Sequence, residues 1–285
     1  MEFIPTDAVI GAVVAGMSLA EIPSMAERDQ IEDALERHGV LIFRGQDVSP
    51  AQQIAWSRAF AHLEQTARID ARLDGHPEIF VVGNTGKRIV SFAPADGSDD
   101  LEWHADHIHL EQTARASMLY CLETPPVGGE TLFACMYHAY DALGPEQRTE
   151  ADGLTAVHSV SGLQKFLRTK GEKGAAEGGY ASPEALAVRW PLVRRHPRTG
   201  RPALYFGSKV TIGIEGWEED RAQTYIAGLN AEATQPAFRY CHTWAPGDAV
   251  LWDNRRVLHA GTPFDTAAYR RRMYRTTWRE DQPIT

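Results

Sequence analysis

Short β-forming segments separated by turn residues dominate the chain beyond residue 77, and they restrict the fold more than any other feature. Branched and aromatic side chains fill these segments, and such runs read as strands when Gly, Pro and Asn bound them. The predicted strands are 78–82, 117–122, 130–134, 154–158, 203–206, 238–244, 249–252 and 274–278. Many short strands of this kind favour a sandwich or a barrel, of which the double-stranded β-helix (jelly roll) is one form.

The first third of the chain predicts two helices with a strand between them. Ser24 and Glu27 form a capping-box pattern before apolar residues at helical spacing, and Gly39 ends that helix. The apolar run 40–43 is typical of a buried strand, and Ser49 is the predicted N-cap of the second helix. We therefore expect a mainly β fold with flanking helices.

The organisation of the chain indicates one domain over residues 1–285, because the sequence contains no internal repeat and no convincing domain boundary. The stretch 160–190 differs from its surroundings, since it is rich in glycine and charged residues. Long loops in compact domains are often lids. We expect a lid or an insertion there.

Composition excludes several classes of protein. The net charge of −9, from 29 basic and 38 acidic residues, argues against a nucleic-acid-binding protein. Three widely spaced cysteines provide neither a disulfide framework nor a CxxC zinc pattern, which favours a reducing compartment. No apolar run approaches the length of a membrane span, and Glu2 and Asp7 stand where a signal peptide would be basic. We expect a cytoplasmic protein that binds neither nucleic acid nor membranes.

Two histidines and one aspartate predict a metal site. His104 and Asp106 are two residues apart, so on an extended strand both side chains leave the same face, and His259 would join them from a distant strand. Two imidazoles and one carboxylate leave part of a metal ion open, as in non-heme Fe(II) oxygenases, although zinc also accepts these ligands. His107 and His109 are competing ligands, but strand parity places them on the opposite face unless the strand ends early.

Four blocks of sequence at compatible spacing extend this prediction. They are PPVGGETLFACMYHAYDAL (125–143), HPRTGRPALYFG (196–207), GDAVLWDNRRVLHAG (247–261) and RRRMYRTTW (270–278). These blocks resemble the TauD/TfdA family, the relatives of taurine and aryloxyacetate dioxygenases. The segment 38–64 also resembles the N-terminal part of that family, so the likeness covers nearly the full chain in the same order. The resemblance implies a jelly-roll enzyme that uses Fe(II), 2-oxoglutarate as cosubstrate, and O2.

The resemblance also implies roles for individual residues. His104, Asp106 and His259 match the iron ligands of the family. Thr131 and Arg271 match the threonine and the arginine that hold the distal carboxylate of 2-oxoglutarate. A guanidinium group suits this role, because its planar fork can hold a carboxylate through two hydrogen bonds.

Two further residues are expected to bind substrate. Arg275 matches the family arginine that pairs with an anionic substrate group, and on a strand it shares a face with Arg271. Arg271 lies one residue further from the last iron ligand than the usual pattern, so Arg270 and Arg272 remain alternative clamps. Trp103 is expected to pack beside the site, either as a substrate contact or as a core aromatic residue.

The implied function is hydroxylation, with or without cleavage, of a small anionic substrate, and a carboxylate such as an aryloxyalkanoate is favoured. An alkylsulfonate dioxygenase, a zinc-dependent hydrolase and a non-catalytic binding protein on the same fold are the alternatives. A homo-oligomer is expected from the family.

Overall fold

Strands outnumber helices in the structure, a computed structural model that describes residues 1–65, 68–85, 100–169 and 187–281, with only the backbone described at 166–169. The α-helices of this part of the chain are α1 (Met25–His38), α2 (Pro50–Arg58), α3 (Met136–Ala142), α4 (Pro145–Asp152), α5 (Val160–Thr169) and α6 (Glu219–Ala233). The strands are β1 (Glu2–Pro5), β2 (Ala12–Ala15), β3 (Val40–Phe43), β4 (Arg72–Leu73), β5 (His76–Gly83), β6 (Ala114–Glu123), β7 (Thr131–Cys135), β8 (Thr155–His158), β9 (Val188–Pro191), β10 (Val193–Arg195), β11 (Pro202–Leu204), β12 (Thr211–Ile214), β13 (Arg239–His242), β14 (Ala249–Asp253), β15 (Val257–Gly261) and β16 (Arg272–Arg279).

Two sheets pack against each other across the main hydrophobic core. The larger sheet has the strand order β1-β2-β3-β14-β6-β16-β5-β4, and the smaller one has the order β13-β7-β15. Phe133 of the smaller sheet lies against Trp252 of the larger, with ring centroids 5.5 Å apart. Except for β2 with β3, the pairs within these two sheets are antiparallel. The predicted mainly β fold with a jelly-roll core is confirmed.

Helices α1 and α2 cover the other face of the larger sheet, where their apolar side chains and those of the strands form a second buried cluster. Both helices begin with a capping box, formed by Ser24 with Glu27 and by Ser49 with Gln52. Gly39 follows α1 with a left-handed φ of 71°, a conformation that glycine adopts without steric cost. The two predicted N-terminal helices are confirmed.

All nine predicted strands, including 40–43, overlap strands of the structure, and the mostly β second part is confirmed, but helices α3, α4 and α6 were not predicted. The longest of these is α6, with 15 residues. Its buried residues are Ala222, Ile226, Leu229 and Ala233, and because two of the four are alanine its apolar periodicity is shallow. No helix in the described ranges is long and apolar enough to cross a membrane.

The predicted lid or insertion at 160–190 falls largely outside the described residues. Helix α5 occupies 160–169, and β9 begins at Val188. Residues 170–186 are not described. Both the lid and the single-domain organisation therefore stay predictions.

Candidate active site

Three side chains predicted as metal ligands come together where the two sheets meet. His104, Asp106 and His259 each offer a ligand atom that lies within 4.8 Å of the other two. The Nε2 atoms of the two histidines stand 3.9 Å from different oxygens of the Asp106 carboxylate. Asp106 and His259 are buried, and His104 is partly exposed. The cluster could hold one metal ion.

A pair of backbone hydrogen bonds places His104 beside His259. The N–H of His104 donates to the carbonyl oxygen of His259 over 3.1 Å, and the N–H of His259 donates back over 2.9 Å. This contact is an isolated bridge, and residues 106–109 form a turn. The prediction of an extended strand running through Asp106 is therefore wrong, although the ligands do meet.

The turn depends on an unusual backbone conformation at His107. Its φ of 57° is the one positive value among the non-glycine residues that the structure describes. A residue with a Cβ atom is less stable in this left-handed conformation by about 1–2 kcal/mol. Because the chain turns here, His107 and His109 line the same cavity as Asp106. The strand ends before His107, so the alternative that the sequence left open, in which both histidines line the pocket, is the one observed.

The protonation of the three candidate ligands suits a divalent cation. The Nδ1 atom of His104 lies 3.0 Å from the carbonyl oxygen of Glu102, an acceptor, so Nδ1 carries a proton and Nε2 is the nitrogen left to face a metal ion. Burial and the neighbouring His104 lower the pKa of His259 to about 3, which leaves this imidazole neutral. Burial raises the pKa of Asp106, but Arg275 and the histidines outweigh it and hold that pKa well below its usual range. Two imidazoles and one carboxylate are ligands that a non-heme Fe(II) site uses.

The Asp106 carboxylate is held by two protein donors. Nη1 of Arg275 donates to Oδ1, and the hydroxyl of Ser117 donates to Oδ2 over 2.7 Å. Arg275 is 9% exposed and lies on β16, in the larger sheet. This arginine, predicted as a substrate contact, thus also contacts a candidate metal ligand.

A first cavity joins the candidate ligands to the residues predicted to bind 2-oxoglutarate. His104, His259, Thr131 and Arg271 all line it. Thr131 and Arg271 are both buried, at 4% and 8% exposure. Their positions follow from the pairing of β7 with β15, in which Thr131 lies opposite Gly261 and His259 opposite Phe133.

Only one of the three consecutive arginines faces this cavity. Arg270 is exposed, and Arg272 donates to the hydroxyl of Tyr274 over 2.6 Å. Arg271 lies just before β16 and lines the cavity with Arg275, as the shared face predicted. The structure therefore brings Arg271, and neither neighbour, together with the predicted threonine.

A double-glycine turn supports Arg271. Nε of Arg271 donates to the carbonyl oxygen of Gly129 over 3.2 Å. Gly128 has a φ of 77°, and a Cβ atom there would lie 2.3 Å from the carbonyl oxygen of Pro263, so no larger residue fits. Burial lowers the pKa of Arg271 to about 10, which leaves it charged at neutral pH. It forms no ion pair with any carboxylate of the described residues.

A second cavity adjoins the first and shares His104 and Arg275 with it. Arg68 and Phe80 contribute to its wall, and the guanidinium carbons of Arg68 and Arg275 lie 5.8 and 4.8 Å from the centroid of the Phe80 ring. Arg68 is 8% exposed. The other polar residues that line the second cavity are Glu64, Glu102, Asp106, His107 and His109. The other apolar residues that line it are Ala105, Leu110, Leu163 and Val210. A buried cationic group thus stands beside an apolar wall.

Trp103 is 3% exposed within the main hydrophobic core. Its backbone N–H donates to the Ser208 hydroxyl over 3.0 Å, and the Arg239 guanidinium lies 5.1 Å from its ring. Trp103 is not among the described residues that line the two cavities. A substrate contact by Trp103 stays a prediction.

Four residues near the site were not assigned a role from the sequence. Asn254 follows a strand in a block quoted above, so its position offered a signal. Ser117, Trp244 and Arg68 offered none, because a serine, a tryptophan and an arginine in short strands and loops usually have structural roles. Their proximity to the site depends on tertiary structure.

Comparison with known proteins gives a consistent result over the whole chain. The family described as "Taurine catabolism dioxygenase TauD, TfdA family" matches residues 2–277. The "Alpha-ketoglutarate-dependent 2,4-dichlorophenoxyacetate dioxygenase" of Cupriavidus pinatubonensis is 34% identical over 289 residues, which cover 98% of this chain and 98% of that protein. The "(S)-phenoxypropionate/alpha-ketoglutarate-dioxygenase" of Sphingobium herbicidovorans is 35% identical over 265 residues, which cover 92% of this chain and 89% of that protein.

A solved structure also resembles the whole chain. The crystal structure of AAD-2 in complex with Mn(II) and N-oxalylglycine superposes with a TM-score of 0.83 at 28% sequence identity, over 100% of this chain and 99% of that one. The likeness therefore extends across both sheets and the candidate site.

Proposed function

Because this chain belongs to the TauD/TfdA family and is therefore an Fe(II)- and 2-oxoglutarate-dependent dioxygenase, we propose that it oxidises an aryloxyalkanoate. The two relatives named above act on a dichlorophenoxyacetate and a phenoxypropionate, which are both aromatic ethers that carry a carboxylate. Two cavities that meet at one cluster of metal-ligand type supply room for a cosubstrate and a substrate.

The buried charge of Arg271 is the observation that carries the cosubstrate assignment. A guanidinium that is 8% exposed and forms no ion pair with a described carboxylate favours an anionic ligand, since burial of an unpaired charge is costly. The distal carboxylate of 2-oxoglutarate would receive hydrogen bonds from Arg271 and from the Thr131 hydroxyl. This arrangement would aim the other end of the cosubstrate at His104 and His259, which line the same cavity.

In the proposed site His104, Asp106 and His259 hold iron. Iron with 2-oxoglutarate and O2, when bound, supplies the oxidising chemistry that converts a substrate C–H bond into C–OH. The two imidazoles would provide nitrogen ligands, and the ionised carboxylate of Asp106 would balance part of the metal charge. The protein side chains fix the ligands and orient the two organic molecules.

The second cavity suits the substrate. Phe80, Leu110 and Leu163 would contact an aromatic ring, and Arg68 and Arg275 supply positive charge for a carboxylate. Of the two, Arg275 is the predicted substrate partner, and its contact with Asp106 places it beside the candidate iron ligands. A hydroxyl group added to the carbon between ether oxygen and carboxylate would give a hemiacetal or hemiketal. Its collapse breaks the ether C–O bond and releases a phenol and a 2-oxo acid.

One assay tests the proposal directly. Metal-free protein is supplied with Fe(II), 2-oxoglutarate and a panel of phenoxyacetate, 2-phenoxypropionate, taurine and a short aliphatic carboxylate, and succinate and phenol are measured. We expect the phenoxyalkanoates to stimulate succinate release most strongly, with phenol formed in equal amount. Stimulation by taurine alone would instead support an alkylsulfonate dioxygenase. An Asp106→Ala variant serves as the inactive control.

Three features of the protein in the cell remain predictions of the sequence. They are a cytoplasmic location, a homo-oligomeric state, and the absence of nucleic-acid and membrane partners. Analytical ultracentrifugation of the purified protein would test the homo-oligomeric state.

A further inference from the structure

Asp106, Asn254 and Ser117 form a closed ring of hydrogen bonds. The backbone N–H of Asp106 donates to Oδ1 of Asn254 over 3.1 Å, and Nδ2 of Asn254 donates to the Ser117 hydroxyl over 3.0 Å. The Ser117 hydroxyl donates in turn to Oδ2 of the Asp106 carboxylate over 2.7 Å. The ring thus begins and ends on one residue, joining its backbone to its side chain.

The direction of each hydrogen bond in the ring is determined. Oδ1 of Asn254 also accepts a hydrogen bond from Nε1 of Trp252 over 2.9 Å. An indole N–H and a backbone N–H can only donate, so the amide oxygen must face them and the amide nitrogen must face Ser117. The Ser117 hydroxyl, which accepts from that nitrogen, has its own proton left for the carboxylate.

The ring fastens Asp106 to the larger sheet. Ser117 lies on β6, opposite Trp252 of β14, and Asn254 follows that strand directly. All of these side chains are buried, with exposures of 0% for Ser117 and 1% for Trp252 and Asn254. Water therefore competes little for these hydrogen bonds, which strengthens them.

Asp106 needs such support, because no regular strand holds it. The residue lies in a turn, and its neighbour His107 has a left-handed backbone. Arg275 holds one carboxylate oxygen and Ser117 the other. Each oxygen has two lone pairs, so both contacts together leave positions for a metal ion.

We propose that Ser117 and Asn254 are positioning residues that hold the carboxylate of Asp106 in the orientation required for metal binding. This inference rests on the proposed function, because it takes Asp106 as a metal ligand. Residues that orient metal ligands typically change metal affinity by about 10- to 100-fold when they are replaced.

The test measures binding of Co(II) alone to the metal-free protein, by absorbance titration without substrate. We expect Ser117→Ala and Asn254→Ala each to weaken Co(II) binding by about 10-fold or more. The double variant should have nearly the same Co(II) affinity as the single variant that binds Co(II) less tightly, because breaking either hydrogen bond opens the same ring. Ser117→Thr keeps the hydroxyl and should recover most of the affinity.

Ser57→Ala is the matched control. Ser57 is also 0% exposed, and its hydroxyl lies 2.9 Å from that of Thr276, so it takes no part in the ring. Ser57→Ala should lower the urea midpoint of unfolding and leave the Co(II) affinity unchanged. Folding of each variant is checked by circular dichroism, and either Ser117→Ala or Asn254→Ala suffices if the other does not fold.

The outcomes separate the inference from the proposed function. If the wild-type protein binds no Co(II), the proposed metal site itself is wrong. If the wild-type protein binds Co(II) and the folded ring variants bind it within two-fold of wild type, the ring is structural only and the inference is overturned.

Discussion

The indole Nε1 of Trp244 donates a hydrogen bond to the hydroxyl oxygen of Thr131 over 3.0 Å, and both side chains are buried. Since an indole N–H cannot accept, the threonine hydroxyl must be the acceptor, and its own proton remains available to a ligand in the first cavity. Trp244 therefore sets the direction in which Thr131 can donate. This contact ties the smaller sheet to the proposed cosubstrate site.

Trp244→Phe should raise the KM for 2-oxoglutarate by roughly three- to ten-fold, the value of one lost hydrogen bond, with a smaller effect on kcat. Titration of 2-oxoglutarate at saturating substrate measures this change. Trp217→Phe, which alters a tryptophan that packs against Tyr225, is the control and should leave this KM unchanged. An unchanged KM in Trp244→Phe would show that Thr131 does not need the indole.

Arg271→Ala should raise the 2-oxoglutarate requirement on the order of 100-fold, because it removes a buried charged partner of a carboxylate. Arg270→Ala provides a control one residue away, since Arg270 is exposed. The KM of the Arg270→Ala variant for 2-oxoglutarate should stay at the wild-type value. A larger effect at Arg270 or at Arg272 than at Arg271 would mean that the arginine register is shifted.

The left-handed backbone at His107 predicts a difference between two replacements. Asparagine tolerates positive φ and a β-branched residue does not, so His107→Val should be less stable than His107→Asn by about 1–2 kcal/mol. Urea unfolding of the metal-free protein measures both. The same pair at His109, where φ is not positive, should differ less. If His107→Val and His107→Asn were equally stable, the left-handed backbone at His107 would not be strained.

His158 predicts a loss of stability in acid. Burial, with a contribution from His109, lowers its pKa to about 3 in the folded protein, against about 6.5 in an unfolded chain. Between these values the unfolded chain binds more protons, so the free energy of unfolding falls as the pH falls from about 6.5. His158→Gln should reduce this slope by up to about 1.4 kcal/mol per pH unit.

Urea unfolding at several pH values between 4 and 8 tests this prediction. At pH 8 both states carry a neutral His158, so the difference there between wild type and variant measures only packing and hydrogen bonding to Thr211. A variant whose slope equals that of the wild type would rule out His158 as a source of acid sensitivity.

Local patterns predicted much of the fold. The capping residues Ser24 and Ser49 and most strands of the two sheets could be recognised, because caps and strand runs depend on neighbours in sequence. The strands β1, β2, β4 and β15 were not predicted. Helix α6 was missed, since alanine at Ala222 and Ala233 hides its buried face. The turn at His107 was also missed, because only the tertiary contacts around it hold a non-glycine residue in a left-handed conformation.

The sequence by itself determined the types and order of the site residues, from His104-Ala105-Asp106 to the arginine run, and with them the family and the reaction class. Only the tertiary structure decided which arginine faces the first cavity, that His107 and His109 turn into the second, and that Ser117 and Asn254 close a ring on Asp106. Ser117 and Asn254 are 137 residues apart in the chain. Hydrogen bonds act over about 3 Å in space whatever the separation in sequence, so a linear pattern cannot reveal them.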